Sequence, residues 1–274
     1  MTISSSRLLE LKALCKFFRS ELIDILYAVQ TGHPGGSLSC TEILVTLFFE
    51  KMHIDPANTQ LEERDRFILS KGHAAPMLYL NMAHRGYFNP EDLYSLRQIG
   101  SHLQGHPCHH KTPGVELSTG SLGLGLSSAI GMTLSDRLQK KDSYLYVLLG
   151  DGEIQEGIIW EAAMSASKFK TDHLIAILDH NGVQLDGTVE EIMPLGDIKA
   201  KWESFGWHVI SADGHSIESL CDAIDQAKCH QGSPIIIIAK TVKGKGVSFM
   251  EGKSAWHGRP IQQDEYHKAM TELA

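Results

Sequence analysis

Beyond residue 143 the chain alternates short apolar runs with longer stretches in which apolar and polar positions recur at helical spacing. The pattern predicts strands over 144–149, 173–179, 207–211 and 234–240, separated by helices over 156–169, 196–205 and 216–230. Upstream, Arg66-Phe67-Ile68-Leu69-Ser70 reads as a short buried strand leading through Lys71-Gly72-His73 into a helix that ends near Gly86. The N-terminal stretch has apolar residues at helical spacing broken by Lys12, Lys16, Arg19, Glu21 and Asp24, as in an amphipathic helix. The glycines and proline of 31–37 predict a turn, and Cys40–Met52 predicts a further helix. The small residues of 119–125 open another, which runs to about Leu138. Strands alternating with helices imply an α/β fold, a parallel sheet flanked by helices on both faces, with ligands beyond the carboxyl ends of the strands. One domain spanning 1–274 accounts for the whole pattern, with no internal repeat and no low-complexity linker. Three segments lack periodicity. Residues 55–66 read as a surface loop, 101–120 as an irregular stretch of the length that is usually functional, and 241–274 as an irregular segment returning across the ligand edge.

Chemistry enters where two of these strands end. Gly150-Asp151-Gly152 closes one and Asn181 closes the next, which puts a carboxylate and a carboxamide at neighbouring carboxyl ends. Oxygen donors of this kind suit a hard divalent cation that completes its shell with phosphate and water. Gly-Asp-Gly is also ordinary turn chemistry, so the motif acquires meaning only from its surroundings. The totals narrow the field. A net charge of −8 without a long basic run argues against a nucleic-acid partner. The 5 cysteines form no CxxC pair and no disulfide framework, so they read as free thiols in a reducing compartment. The charged N-terminal helix is unlike a signal peptide, and apolar runs such as Ile235–Ala239 are far too short to span a membrane. A cytoplasmic location is the expectation.

Seven segments, in order, carry a family resemblance: GHPGGSLSCTEIL (32–44), DRFILSKGHAAPMLY (65–79), GHP (105–107), STGSLGLGLSSAIG (118–131), GDGEIQEGIIWEA (150–162), LDHNGVQLDG (178–187) and KTVKGKGVSFMEGKSAWHGRP (240–260). Together they resemble transketolase, a thiamine-diphosphate enzyme. The resemblance covers the half of such an enzyme that binds the cofactor diphosphate, and implies the thiamine-diphosphate-binding fold. A full transketolase continues into a pyrimidine-binding domain and a C-terminal domain, whereas this sequence stops shortly after Pro260. The expectation is therefore the N-terminal subunit of a split transketolase, active only with a partner chain that supplies those two domains. Two such chains and two partners would form a heterotetramer, since the family's sites lie at interfaces.

The implied reaction moves a two-carbon ketol group from a ketose phosphate to an aldose phosphate, with thiamine diphosphate and Mg²⁺, or Ca²⁺ or Mn²⁺ in its place. On this resemblance Asp151, Asn181 and the Val183 carbonyl hold the metal, while His73, Gly120, Ser121, Leu122, Gly152, Asn181 and His257 contact the cofactor. Position 121 is usually proline in single-chain enzymes, so Ser121 is a departure. His33 and His106 face the sugars, and His257 reaches both cofactor and substrate. Imidazoles suit these tasks because their pKa lies near neutrality. Glu156 matches a family acid near the dimer interface; it also suits the first turn of a helix, where a negative charge opposes the helix dipole. Lys245, between two glycines, lacks the remainder of a phosphate-loop motif and reads as a solvated loop lysine. Other readings stay open at this point. They are a split transketolase for an unusual sugar, a decarboxylating relative such as deoxyxylulose-phosphate synthase or the alpha subunit of a 2-oxoacid dehydrogenase, and a cofactor-binding relic without enzymatic activity.

Overall fold

The computed structural model describes residues 3–274. Five strands, β1 (Arg66–Leu69), β2 (Leu145–Gly150), β3 (Leu174–His180), β4 (His208–Asp213) and β5 (Ile235–Lys240), form one parallel sheet in the order β1-β2-β3-β5-β4. The three central strands are apolar on both faces, as parallel strands covered by helices must be. Their alternate residues sort into two cores. Tyr146, Leu148, Ile175, Ile177, Ile235 and Ile237 face one layer, formed by α1 (Ser5–Val29), α2 (Pro34–Ser39), α3 (Thr41–Thr46), α4 (Ala75–Arg85) and α9 (Ile217–Cys229). Val147, Leu149, Ala176, Leu178 and Ile236 face the other layer, formed by α5 (Leu124–Leu138), α6 (Gly157–Phe169), the short α7 (Val189–Ile192) and α8 (Ile198–Ser204).

Local chemistry sets the helix ends. The Ser4 hydroxyl accepts from the Arg7 amide at the start of α1, Asp197 from Ala200 at α8, and Ser216 from Ser219 at α9. Every strand lies within two residues of its expected bounds. Three other expectations need correction. The turn of 31–37 is helical from Pro34 onward, because a proline at the first helical position already has the required φ and lacks an amide that would go unbonded there. The helix expected over Cys40–Met52 breaks off at Thr46 into a π-turn over Leu47–Lys51. The segment 241–274 is irregular only in its first part, since α10 (Gln263–Leu273) closes it. A capping box between Gln262 and Glu265 starts α10, and its Tyr266 stacks on Tyr27 of α1 with ring centroids 4.2 Å apart.

Ile177 lies at the centre of β3 with no exposed surface. Ile177→Ala is expected to destabilise the fold by about 2–5 kcal/mol through lost burial and the cavity left behind. Denaturant unfolding followed by circular dichroism checks this.

Candidate active site

Four strands deliver side chains to one edge of the sheet. The chain leaving β1 carries Ser70, Lys71 and His73, β2 ends in Gly150 and Asp151, β3 leads into Asn181, and β5 into Thr241 and Lys243. His33 joins them from the junction between α1 and α2, His106 from the irregular stretch before α5, and His257 from the segment after β5. All of these except Ser70 and Thr241 border a cavity of about 310 Å³. Of the residues expected at the site, His33, His73, His106, Gly120, Leu122, Asp151, Gly152, Asn181, Val183 and His257 all line it. Ser121 does not; it is exposed beside the cavity rather than in its wall. Glu156 is exposed at the N-cap of α6, also outside the cavity. Lys245 is a loop lysine paired at 3.4 Å with Glu251.

Asp151 is buried with both oxygens fixed by backbone amides, Oδ1 by Gly152 at 2.8 Å and Oδ2 by Gly182 at 2.5 Å. Asn181 Oδ1 accepts from the Val183 amide at 3.1 Å, and its Nδ2 donates to Asp179 at 3.2 Å. The Val183 carbonyl already faces a positive charge, the Lys243 ammonium at 3.3 Å. Among the described residues no three His, Cys, Asp or Glu side chains converge on a metal position. The cavity wall does carry one carboxylate, one carboxamide and one backbone carbonyl, those of Asp151, Asn181 and Val183. Such a set is all oxygen, and fits a hard divalent cation sharing its shell with a diphosphate.

The four histidines form a cluster, with ring centroids 5.5 Å apart for His33 and His73, 6.2 Å for His33 and His106, 5.5 Å for His33 and His257, and 4.9 Å for His73 and His257. Burial, followed by the nearby cations Arg97 and Lys243, lowers the pKa of His33 to about 4. Burial and Lys243 lower that of His257 to about 3. His73 is pushed well below the ordinary range by burial and then Lys71. Loss of hydration and then Arg97 lower His106 as well. Near neutral pH the cluster is therefore a set of uncharged donors and acceptors.

Sequence motifs alone did not point to the residues behind this surface. Lys71, 1% exposed, pairs with Asp179, which is wholly buried. The ammonium also donates to the Gly36 carbonyl at 2.9 Å, while Ser39, Thr241 and Asn181 donate to the same carboxylate. Burial opposes both charges, yet each partner outweighs it, so the Lys71 pKa is raised and the Asp179 pKa lowered. Glu153 is buried nearby and accepts from Ser70 and from the amides of Gly123 and Gly150, at 2.8 and 3.0 Å for the amides. Gly123 has φ +86, and a Cβ there would lie 2.4 Å from Ile158, so the turn that offers this amide requires glycine. One signal was available in the sequence. Asp179 is an acid within an otherwise apolar strand, and a buried charge needs partners. Glu153 gave none, since GDGEIQEG holds two further acids and only packing decides which is buried.

The transketolase thiamine-diphosphate-binding domain matches the chain over residues 11–274. The chain belongs to the transketolase family. It is 43% identical over 269 residues to the 6-deoxy-6-sulfo-D-fructose transketolase subunit of Clostridium sp. strain MSTE9, covering 98% of each chain. It is 40% identical to an apulose-4-phosphate transketolase subunit of Phocaeicola vulgatus, covering 93% of this chain and 91% of that one. Among solved structures, transketolase from Pichia stipitis in complex with sedoheptulose 7-phosphate superimposes with a TM-score of 0.89 at 34% identity, over 96% of this chain and 40% of that one. The parallel sheet is thus that of a transketolase thiamine-diphosphate-binding domain.

Depressed histidine pKa values fix the sign of a pH effect. Above about pH 7.5 folded and unfolded chains both carry these imidazoles neutral, so their contribution to stability is complete. As pH falls from about 6.5 the unfolded chain takes up protons that the folded one refuses, and the contribution is lost progressively toward the folded values of about 4 for His33 and about 3 for His257. The expected outcome is a melting temperature that drops between about pH 7.5 and pH 5, and drops less in His257→Asn than in the parent chain. Calorimetric melts of both chains across that range check it.

Proposed function

We propose that this chain is the diphosphate-binding subunit of a two-chain transketolase, transferring a two-carbon ketol group from a ketose to an aldose. The observation that carries the reading is the convergence on one cavity of an oxygen donor set and four neutral histidines from separate motifs. Asp151, Asn181 Oδ1 and the Val183 carbonyl would hold a divalent cation such as Mg²⁺. Gly120, Leu122, Gly152, His73 and His257 would border the diphosphate and thiazolium of the cofactor. When bound, the thiazolium supplies an acceptor for the electron pair released as the sugar's carbon–carbon bond breaks. The protein's own task is positioning. Neutral imidazoles of His33, His106 and His257 can hydrogen-bond to sugar oxygens, His33 and His257 through Nε2, since their Nδ1 atoms face Arg97 and Lys243.

A partner follows from the relatives' names, since both matched over nearly their full length are called subunits. In this reading the partner contributes the pyrimidine half of the site, and the exposed Glu156 lies where it would meet that partner. The assembly is a heterotetramer of two chains and two partners. Those same names, for a sulfonated ketose and for apulose 4-phosphate, favour a specialised sugar over a general pentose phosphate as the substrate.

The purified chain alone is expected to show no ketol transfer, and mixing with its partner to restore turnover that depends on thiamine diphosphate and a divalent cation. A coupled assay over a panel of sugar phosphates and sulfonates tests this; full turnover by the single chain refutes the split site. Asp151→Ala and Asn181→Ala are each expected to weaken metal-dependent cofactor binding at least about tenfold, the range seen when an oxygen ligand or its orienting partner is lost, with the far-ultraviolet spectrum unchanged. Isothermal titration with and without the cation decides it.

A further inference from the structure

Arg97 stands apart from every other arginine of the site region in three ways. It has a left-handed backbone, φ +62, which a side chain-bearing residue adopts only at a cost. Its guanidinium faces no carboxylate among the described residues, since no ion pair includes it. Its Nε is buried without a hydrogen-bond partner. The group is nevertheless tightly seated. Nη1 donates to Thr31 Oγ1 at 3.0 Å, and Nη2 lies 3.3 Å from the Gly105 carbonyl and 3.2 Å from His33 Nδ1. A Cβ at Gly105 would fall 2.7 Å from Arg97 Nε, so the glycine leaves the channel through which the guanidinium passes.

The contact with His33 has one possible polarity. A guanidinium carries five N–H donors, no acceptor, and does not lose its proton in proteins. His33 Nδ1 must therefore be the acceptor and carry no hydrogen. In a neutral imidazole the proton then resides on Nε2. That nitrogen makes no hydrogen bond with any described residue, and His33 borders the cavity. We propose that Arg97 is a positioning residue that locks His33 in the Nε2–H tautomer, making it an obligate hydrogen-bond donor toward a substrate oxygen. The inference rests on the reading of His33 as a sugar-facing residue.

A locked tautomer has consequences for chemistry and specificity. His33 Nε2 cannot accept a proton from the sugar without becoming an imidazolium directly against a guanidinium, so His33 holds an oxygen and another group moves protons. The cation behind the ring draws electron density from it and strengthens the Nε2–H as a donor. A sugar with an oxygen lone pair opposite Nε2 is favoured, and its deoxy analogue leaves a donor unpaired.

The test is direct. Two-dimensional ¹H–¹⁵N long-range spectra of the ¹⁵N-histidine-labelled chain, with His33→Asn to assign the resonance, should show His33 as the Nε2–H tautomer from about pH 6 to 8, where its imidazole is neutral. In Arg97→Met, which keeps the stem and loses donor and charge, His33 should appear as a tautomer mixture and take up a proton at higher pH. Arg97→Gln, whose amide can still donate to Nδ1, should retain the Nε2–H form. In the reconstituted enzyme Arg97→Met is expected to lower kcat/KM for the hydroxylated sugar roughly three- to tenfold, the worth of one hydrogen bond, and to lose discrimination against the deoxy analogue. An Nδ1–H tautomer in the parent chain, or an Arg97→Met spectrum identical to the parent, overturns the proposal, and the parent spectrum decides it even where the methionine variant does not fold. Normal turnover of His33→Ala with an Nε2–H spectrum in the parent would sink the sugar-facing reading instead, so the two failures are distinguishable.

Discussion

The edge of the sheet that carries the site is held together by one buried ion pair. Asp179 and Lys71 lie out of contact with water, and around them converge Ser39 of α2, the Gly36 carbonyl, Asn181 beyond β3 and Thr241 beyond β5. Desolvating two charges is costly, and a pair of this kind adds little net stability over an apolar replacement. What it adds is geometry. Because the carboxylate is acceptor-only, Asn181 must turn its amide nitrogen toward it and its oxygen away, toward the Val183 amide and the cavity. Removing either ionic partner alone would strand a buried charge at a cost of about 3–5 kcal/mol. The segments that frame the cavity are thereby tied to a single point.

Around that point the charges of each sign have their own partners. Carboxylates, Asp151, Glu153 and Asp179, lie low at the strand ends, satisfied by backbone amides, hydroxyls and Lys71. The cations Lys243 and Arg97 contact histidines, His257 and His33 respectively. Lys243 has its pKa lowered to about 8, first by burial and then by Lys71, against the pull of Asp151 and Asp179. The histidines are neutral near pH 7, so what they present to the cavity is hydrogen bonding rather than charge.

Much of this was legible along the chain, for identifiable reasons. The strands were located to within two residues because parallel strands buried on both faces must be apolar throughout, a signal that survives without tertiary information. The Gly- and Pro-flanked histidines and the pair Asp151 and Asn181 were legible because each sits in a short motif whose spacing is local. Pro34 misled because proline and glycine punctuate turns in general, yet at the first position of a helix proline is favoured. The helix 263–273 was obscured by its low apolar content; its place is fixed by Tyr266 on Tyr27 and by Ala269 and Leu273 against the core.

The sequence by itself determined the alternation of strands and helices, the parallel α/β architecture, and which motifs bring oxygen-bearing side chains and imidazoles to the cavity, because these follow from periodicity and from chemistry held within a few adjacent residues. Only the tertiary structure decided that Lys71 meets Asp179, that Glu153 rather than Glu156 is buried, that Ser121 lies outside the cavity wall, and that Arg97 backs onto His33. The two pairings join residues far apart in the chain, 108 positions for the ion pair and 64 for the arginine and histidine, brought within hydrogen-bond distance by the packing of separate elements. A charged residue looks the same in sequence whether solvated or buried; the partner that decides between the two is supplied by the fold.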